Sequence, residues 1–126
     1  MLWGGNSYYK ENNDKVFPPN NFIIKETITL DTLVAQNEYS MPDLIKMDIQ
    51  GAELDALKGA TNVLKYCKYL ILELQEIDYN RNAPKALEVV EYLKSIGYIC
   101  CAHKFSDNGA DYDSCFINTK LVELII

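Results

Sequence analysis

The 126-residue chain reads as an α/β domain: a mostly parallel sheet with helices on both faces and a closing antiparallel hairpin. Three observations predict this. Apolar or β-branched runs alternate with segments of helical period, the order that gives parallel strands with right-handed crossovers. Residues 44–49 and 69–74 are nearly continuous in apolar residues, as strands covered on both faces are. Finally, residues 98–104 and 114–118 are strand-like runs joined by a polar turn, so they can pair back on each other.

Each element has its own signal. Residues 1–21 are polar, aromatic and rich in asparagine, with Pro18-Pro19 near the end, and read as loop. Residues 22–30, Phe-Ile-Ile-Lys-Glu-Thr-Ile-Thr-Leu, are β-branched and read as a strand. Asp31 is placed as the N-cap of a short helix through Leu33 and Val34. A loop over residues 37–42 leads to the strand at 44–49. Residues 52–66 are the clearest helix: Ala56, Leu57, Ala60, Val63, Leu64 and Cys67 fall on one side, with Asp55, Lys58, Asn62 and Lys65 on the other. After the strand at 69–74, Pro84 opens a further helix, where its missing N–H costs nothing. Ala86, Val89, Val90, Leu93 and Ile96 are its stripe, and Gly97 suits its C-terminal cap. The hairpin follows, with its turn over residues 106–113. The tail, 121–126, is apolar and fits strand or helix. Nearly half the residues are hydrophobic, enough for a single core, and the length suits one domain over residues 1–126, loop-rich to 21 and α/β from 22.

Charge and composition exclude several classes. Twelve basic against 18 acidic residues give a net charge of −6. That balance argues against a nucleic-acid backbone or an anionic lipid surface as partner. No apolar run approaches the roughly 20 residues that span a bilayer. The start, Met1-Leu2-Trp3-Gly4-Gly5-Asn6, lacks the charged and apolar regions of a signal peptide. Cys67, Cys100, Cys101 and Cys115 form no C-x-x-C pair and lie in apolar runs, as reduced core or half-buried cysteines of a cytoplasmic protein do. Cys100, Cys101 and His103 are the only set resembling a zinc site. Adjacent strand residues point to opposite faces, so no metal site is assigned. His103, the only histidine, reads as a surface or packing residue, and Trp3, Tyr8 and Tyr9 as edge cover or part of a substrate surface.

The chemistry concentrates at residues 44–53. An apolar run stops at Asp48, Gly51 lets the backbone turn, and a helix starts with Glu53 in its first turn. Such junctions set polar groups at the carboxyl end of a strand, where open α/β sheets bind ligands. Asp48 can orient a substrate hydroxyl, take its proton or bind a metal; equally, it can cap the following helix. Glu53 can serve the helix dipole or a ligand. Gly51 has a backbone role. Gln50 can hydrogen-bond but cannot act as a base. Glu73 and Gln75 end the next strand on the same rim.

Lys46-Met47-Asp48-Ile49-Gln50-Gly51-Ala52-Glu53, with Leu57-Lys58-Gly59-Ala60, resembles the signature of the FkbM-type S-adenosylmethionine-dependent methyltransferases. Thr27-Ile28-Thr29-Leu30-Asp31-Thr32-Leu33 is similar to the family's stretch upstream of that signature. Gly4-Gly5-Asn6-Ser7-Tyr8-Tyr9-Lys10 resembles a small-residue loop of some members. The resemblance implies a partial class I methyltransferase (Rossmann-like) sheet, with residues 44–48 as its fourth strand, 69–74 as its fifth and the hairpin as its sixth and seventh. It implies S-adenosylmethionine as cofactor and O-methylation of a sugar or small hydroxylated metabolite. Asp48, Glu53 and Glu73 would be catalytic, and Asp48, Gln50 and Gly51 would touch the cofactor, with metal dependence open. Many relatives carry glutamate where Gln50 stands. The glycine turn and ribose-binding acid of the family's first half have no counterpart here. The domain therefore reads as incomplete at its N-terminal side: either a fragment or truncated gene product, or a chain completed by another chain or in an oligomer. The alternative is a non-catalytic remnant that acts as an interaction or oligomerisation module.

Overall fold

The alternating runs do build one sheet. In the computed structural model, which describes residues 7–13, 15, 18, 20, 22–76, 81–105 and 111–125, β1 (Leu44–Met47) and β2 (Tyr69–Gln75) pair in parallel. β3 (Tyr98–Phe105) and β4 (Asp111–Asn118) form the hairpin, and β4 also pairs antiparallel with β2. The sheet order is β1-β2-β4-β3. Three strands thus share a direction and β4 opposes them. Only the β1–β2 pairing is parallel, because the hairpin inserts its second strand beside β2. β4 begins at Asp111, earlier than the expected 114; residues 106–110 of the expected turn lie outside the described residues. A bulge between Cys100 and Ala102 shifts the β3 register. Cys100 and Cys101 are exposed there rather than half-buried; Cys67 is buried.

The helices are α1 (Leu30–Gln36), α2 (Glu53–Lys58) and α3 (Ala86–Ser95), with a short 3-10 turn, Val63–Lys65. Their buried side chains join one cluster. Leu54, Leu57, Val63, Leu64, Val89 and Leu93 meet Met47, Leu70, Leu72, Leu74, Tyr98 and Phe116 of the sheet. Alternation explains the strand members, since Leu70, Leu72 and Leu74 point one way and Tyr69, Ile71 and Glu73 the other. Each fully buried leucine contributes about 1.5–3 kcal/mol. This cluster lies on one face, so the expectation of helices on both faces fails for the described residues. The opposite face carries Leu44, Tyr69 and Ile99 at 51, 39 and 38 % exposure. β1, expected to be covered on both faces, is exposed at Leu44 and Lys46, and it is an edge strand of this sheet.

Two further expectations fail for identifiable reasons. Residues 22–29 form no strand, and Phe22, Ile23 and Ile24 are 71, 77 and 89 % exposed. β-branched composition supplies propensity but no pairing partner. The helix expected over 52–66 is broken after Lys58. Gly59 packs against Thr29: a Cβ there would lie 3.1 Å from Thr29 Cβ, and the Gly59 carbonyl accepts the Asp31 N–H at 3.0 Å. The Asp31 carboxylate then accepts from Asn62 N and Val63 N, both at 2.9 Å, and from Thr61 Oγ1 at 3.1 Å. Asp31 thus caps the 3-10 turn rather than its own helix. Thr29 is the cap of α1, its Oγ1 accepting from Thr32 N at 3.1 Å. Pro84 precedes α3 by two residues, and Lys85 is the cap. Gly97 follows α3 with φ +100°, as a C-terminal cap glycine does. The tail at 121–125 is neither strand nor helix.

Inside the core, Tyr98 Oη lies 2.6 Å from the Cys67 carbonyl and 2.9 Å from that of Leu64. Asn118 Nδ2 donates to the same two carbonyls at 3.2 and 3.1 Å. These carbonyls end the 3-10 turn and would otherwise be buried without partners. The pair ties the start of β3 and the end of β4 to the turn that leads into β2.

Candidate active site at the carboxyl ends of β1 and β2

Beyond Met47 the chain leaves the sheet at Asp48 and turns through Gln50 and Gly51, whose φ angles are +53° and +96°. Gly51 adopts this left-handed region without steric cost, whereas Gln50 carries a Cβ into it. α2 then starts with Ala52 as its cap residue, which offers no side-chain acceptor. Glu53 fills the gap. Its Oε1 accepts the Ile49 N–H at 2.9 Å. The residue is 3 % exposed. Burial pushes its carboxyl above the ordinary range, against the backbone N–H groups of Ile49, Glu53 and Gly51, which favour the charged form. The capping alternative raised for Asp48 therefore belongs to Glu53, which faces inward under the turn.

Asp48 stays on the surface, its side chain 48 % exposed, with Oδ2 4.0 Å from Lys46 Nζ. Its Oδ1 accepts from Gln50 Nε2 at 3.2 Å. The same nitrogen donates to Glu73 Oε2 at 3.0 Å, and Gln50 Oε1 accepts from Gln75 Nε2 at 3.4 Å. β1 and β2 are parallel neighbours, which is why their last polar residues reach one rim. Asp48, Gln50 and Glu73 thus meet through a single amide, with Gln75 behind them. Glu53 and Gly51 lie beneath, shaping the turn.

Sequence reasoning left out the N-terminal loop's part in this rim. Ser7 Oγ donates to the Gln50 carbonyl at 2.7 Å and accepts from Tyr9 N at 3.1 Å. The Tyr9 hydroxyl donates to Asp55 on α2. Burial and that bond push the Tyr9 hydroxyl up to about 12. The Lys10 carbonyl accepts the Arg81 N–H at 2.6 Å. Tyr8, 70 % exposed, stands edge-on to Tyr9 with ring centroids 5.2 Å apart. No local pattern in Ser7-Tyr8-Tyr9 announces a partner some 40 residues away. Trp3 and Gly4-Gly5 lie outside the described residues, as does the side chain of His103. No group of three metal-ligating side chains occurs among the described residues, and none of their helices is long and apolar enough to cross a membrane.

The chain is 41 % identical over 49 residues to the hexuronic acid methyltransferase AglP of Haloferax volcanii. That stretch covers 39 % of this chain and 20 % of the relative, so the chain matches about a fifth of the curated protein's length. No solved structure matches it. The model of the methyltransferase FkbM domain matches residues 6–100, from the loop beside Ser7 through the rim to the start of the hairpin. The chain belongs to the FkbM methyltransferase family.

Proposed function

We propose that the chain carries the acceptor side of an S-adenosylmethionine-dependent O-methyltransferase of the class I, Rossmann-like type, acting on a hydroxyl of a sugar or small hydroxylated metabolite. The observation that carries this reading is the joined pair Asp48 and Glu73 at the ends of two parallel strands, inside the family match. The name of the Haloferax relative favours a sugar acid as acceptor. The donor set fits the cofactor: carboxylates line the rim, and a sulfonium is cationic. Asp48, Gln50 and the Gly51 backbone would hold its methyl-bearing end. When bound, S-adenosylmethionine supplies an electrophilic methyl carbon for in-line displacement. Asp48 would orient the acceptor hydroxyl and take its proton. Glu73 holds a second polar group of the acceptor, and Glu53 keeps the turn in place. The methionine and ribose parts of the cofactor would be received by elements outside this rim.

A calorimetric titration of S-adenosylmethionine tests this. The reading predicts weak saturable heat, with a Kd toward the ~1 mM upper end of ordinary substrate affinities. No heat at all would favour a second reading, a non-catalytic interaction module. The edge position of β1 among the described strands and the exposed Leu44, Tyr69 and Ile99 support that alternative, since such edges and patches invite pairing. A monomer at every concentration in sedimentation would count against the module.

A further inference from the structure

We propose that Gln50 is a positioning residue of this site: its one amide group fixes the spacing between Asp48 and Glu73, so that both carboxylates address a single acceptor. The inference rests on the methyltransferase reading above and assigns a role to a residue that reading placed only near the cofactor.

Three features of the geometry point to it. The first is the match of donors to acceptors. A glutamine amide carries two N–H donors on one nitrogen, and here that nitrogen lies 3.2 Å from Asp48 Oδ1 and 3.0 Å from Glu73 Oε2. Two carboxylates drawn toward one point repel each other, and the shared donor offsets that repulsion without adding charge. A glutamate at this position would offer no such donor.

The second feature is the conformation. Gln50 sits at φ +53°, where a glycine is cheaper, and it holds a long side chain in one rotamer. Strain of this kind persists where the surroundings fix it. The surroundings do so here: the Gln50 carbonyl is held by Ser7 Oγ at 2.7 Å, and its Oε1 by Gln75 Nε2 at 3.4 Å. Gln75 is itself 8 % exposed, so this back support is anchored in the fold. The third feature is position. Asp48 ends the run of β1 and Glu73 lies in β2, so the amide spans the junction of the two parallel strands. Remove it, and the two carboxylates lose their common donor.

The test has a spectroscopic arm and a kinetic arm, both on the whole chain. In 15N-labelled protein, Asp48→Asn and Glu73→Gln should each displace the Gln50 side-chain amide resonance. If neither does, the bridge does not exist and the proposal falls whatever the enzyme does. In the kinetic arm, methyl transfer from labelled S-adenosylmethionine to D-glucuronic acid is compared in wild type, Gln50→Gly and Gln50→Leu. Gln50→Gly relieves the backbone and should melt higher than wild type. It should nevertheless lose about tenfold or more in kcat at saturating cofactor, because alignment is lost. Gln50→Leu, which fills the space without donating, should lose as much. A Gln50→Gly variant that is more stable and keeps its kcat would make Gln50 a turn residue only and overturn the proposal. Absence of transfer by wild type once the elements that receive the methionine and ribose are supplied would instead remove the methyltransferase reading, leaving any bridge seen in the spectrum a structural one.

Discussion

Replacing Asp31 by alanine removes the carboxylate that divides the expected helix over residues 52–66 into two pieces. Three donors lose their acceptor: Asn62 N and Val63 N at 2.9 Å and Thr61 Oγ1 at 3.1 Å. Loss of a helix-capping side chain costs about 0.5–2 kcal/mol. With two backbone N–H groups released at once, beside the fully buried Val63, we expect the upper end, about 2 kcal/mol. The effect has a pH signature. Partial burial alone would raise the Asp31 carboxyl, but the donors of Asn62, Val63 and Thr61, with Lys65 nearby, outweigh it and hold it below the ordinary range. A carboxyl lowered in the folded state stabilises fully above its unfolded value, about 3.9, and the benefit disappears as pH falls through the folded value. Urea unfolding of wild type and Asp31→Ala should therefore differ by about 2 kcal/mol at neutral pH, and the gap should shrink in acid below the unfolded value. A gap under about 0.5 kcal/mol, or one that does not change with pH, would refute the capping role.

Glu53→Ala should show the opposite trend. It strips the acceptor from the Ile49 N–H and costs about 1–3 kcal/mol. Because burial raises the Glu53 carboxyl, its stabilisation is complete below the unfolded value, about 4.3, and declines as pH rises through the folded value, so the gap to wild type should be larger near pH 4 than at neutral pH; an unfolding series with a flat or reversed gap would count against the buried placement. Tyr98→Phe deletes a hydroxyl bonded to the Leu64 and Cys67 carbonyls, leaving Asn118 as their side-chain donor, and should cost about 1 kcal/mol by thermal melting. The double variant with Asn118→Ala should lose more than the two single changes added together, since it leaves both carbonyls unpartnered, and simple additivity would deny that the pair acts as one clamp.

The parts of the fold legible in sequence are those whose signal is local. β2 alternates Leu70, Leu72 and Leu74 toward the core, α3 carries its own apolar stripe and its closing Gly97, and the hairpin follows from two strand-like runs. What escaped depends on partners distant in sequence. The period of residues 52–66 continues through Gly59 without interruption, and only the approach of Thr29 and Asp31 from outside ends α2 there. The run at 22–29 has strand composition, yet no strand of this sheet accepts it. The Cys100-Cys101 pair hides a bulge that alternation cannot express. At the site, the junction and its residues are readable because strand, turn and helix follow each other directly. The division of labour is not. Burial of Glu53, the shared amide of Gln50 and the contact from Ser7 arise only once β1 and β2 lie side by side and the N-terminal loop meets the turn at Gln50.

On the proposed function, Asp48 would face the reacting hydroxyl of an acceptor held on this rim. The direct measurement is methyl transfer from S-adenosylmethionine to D-glucuronic acid by wild type and by Asp48→Asn, with cofactor affinity measured in parallel. Asparagine keeps the oxygen that Gln50 bonds but cannot take a proton, so transfer at saturating cofactor should fall by about 100-fold or more. Transfer by Asp48→Asn at the wild-type rate would contradict the account and leave Asp48 as a surface partner of Lys46 and Gln50.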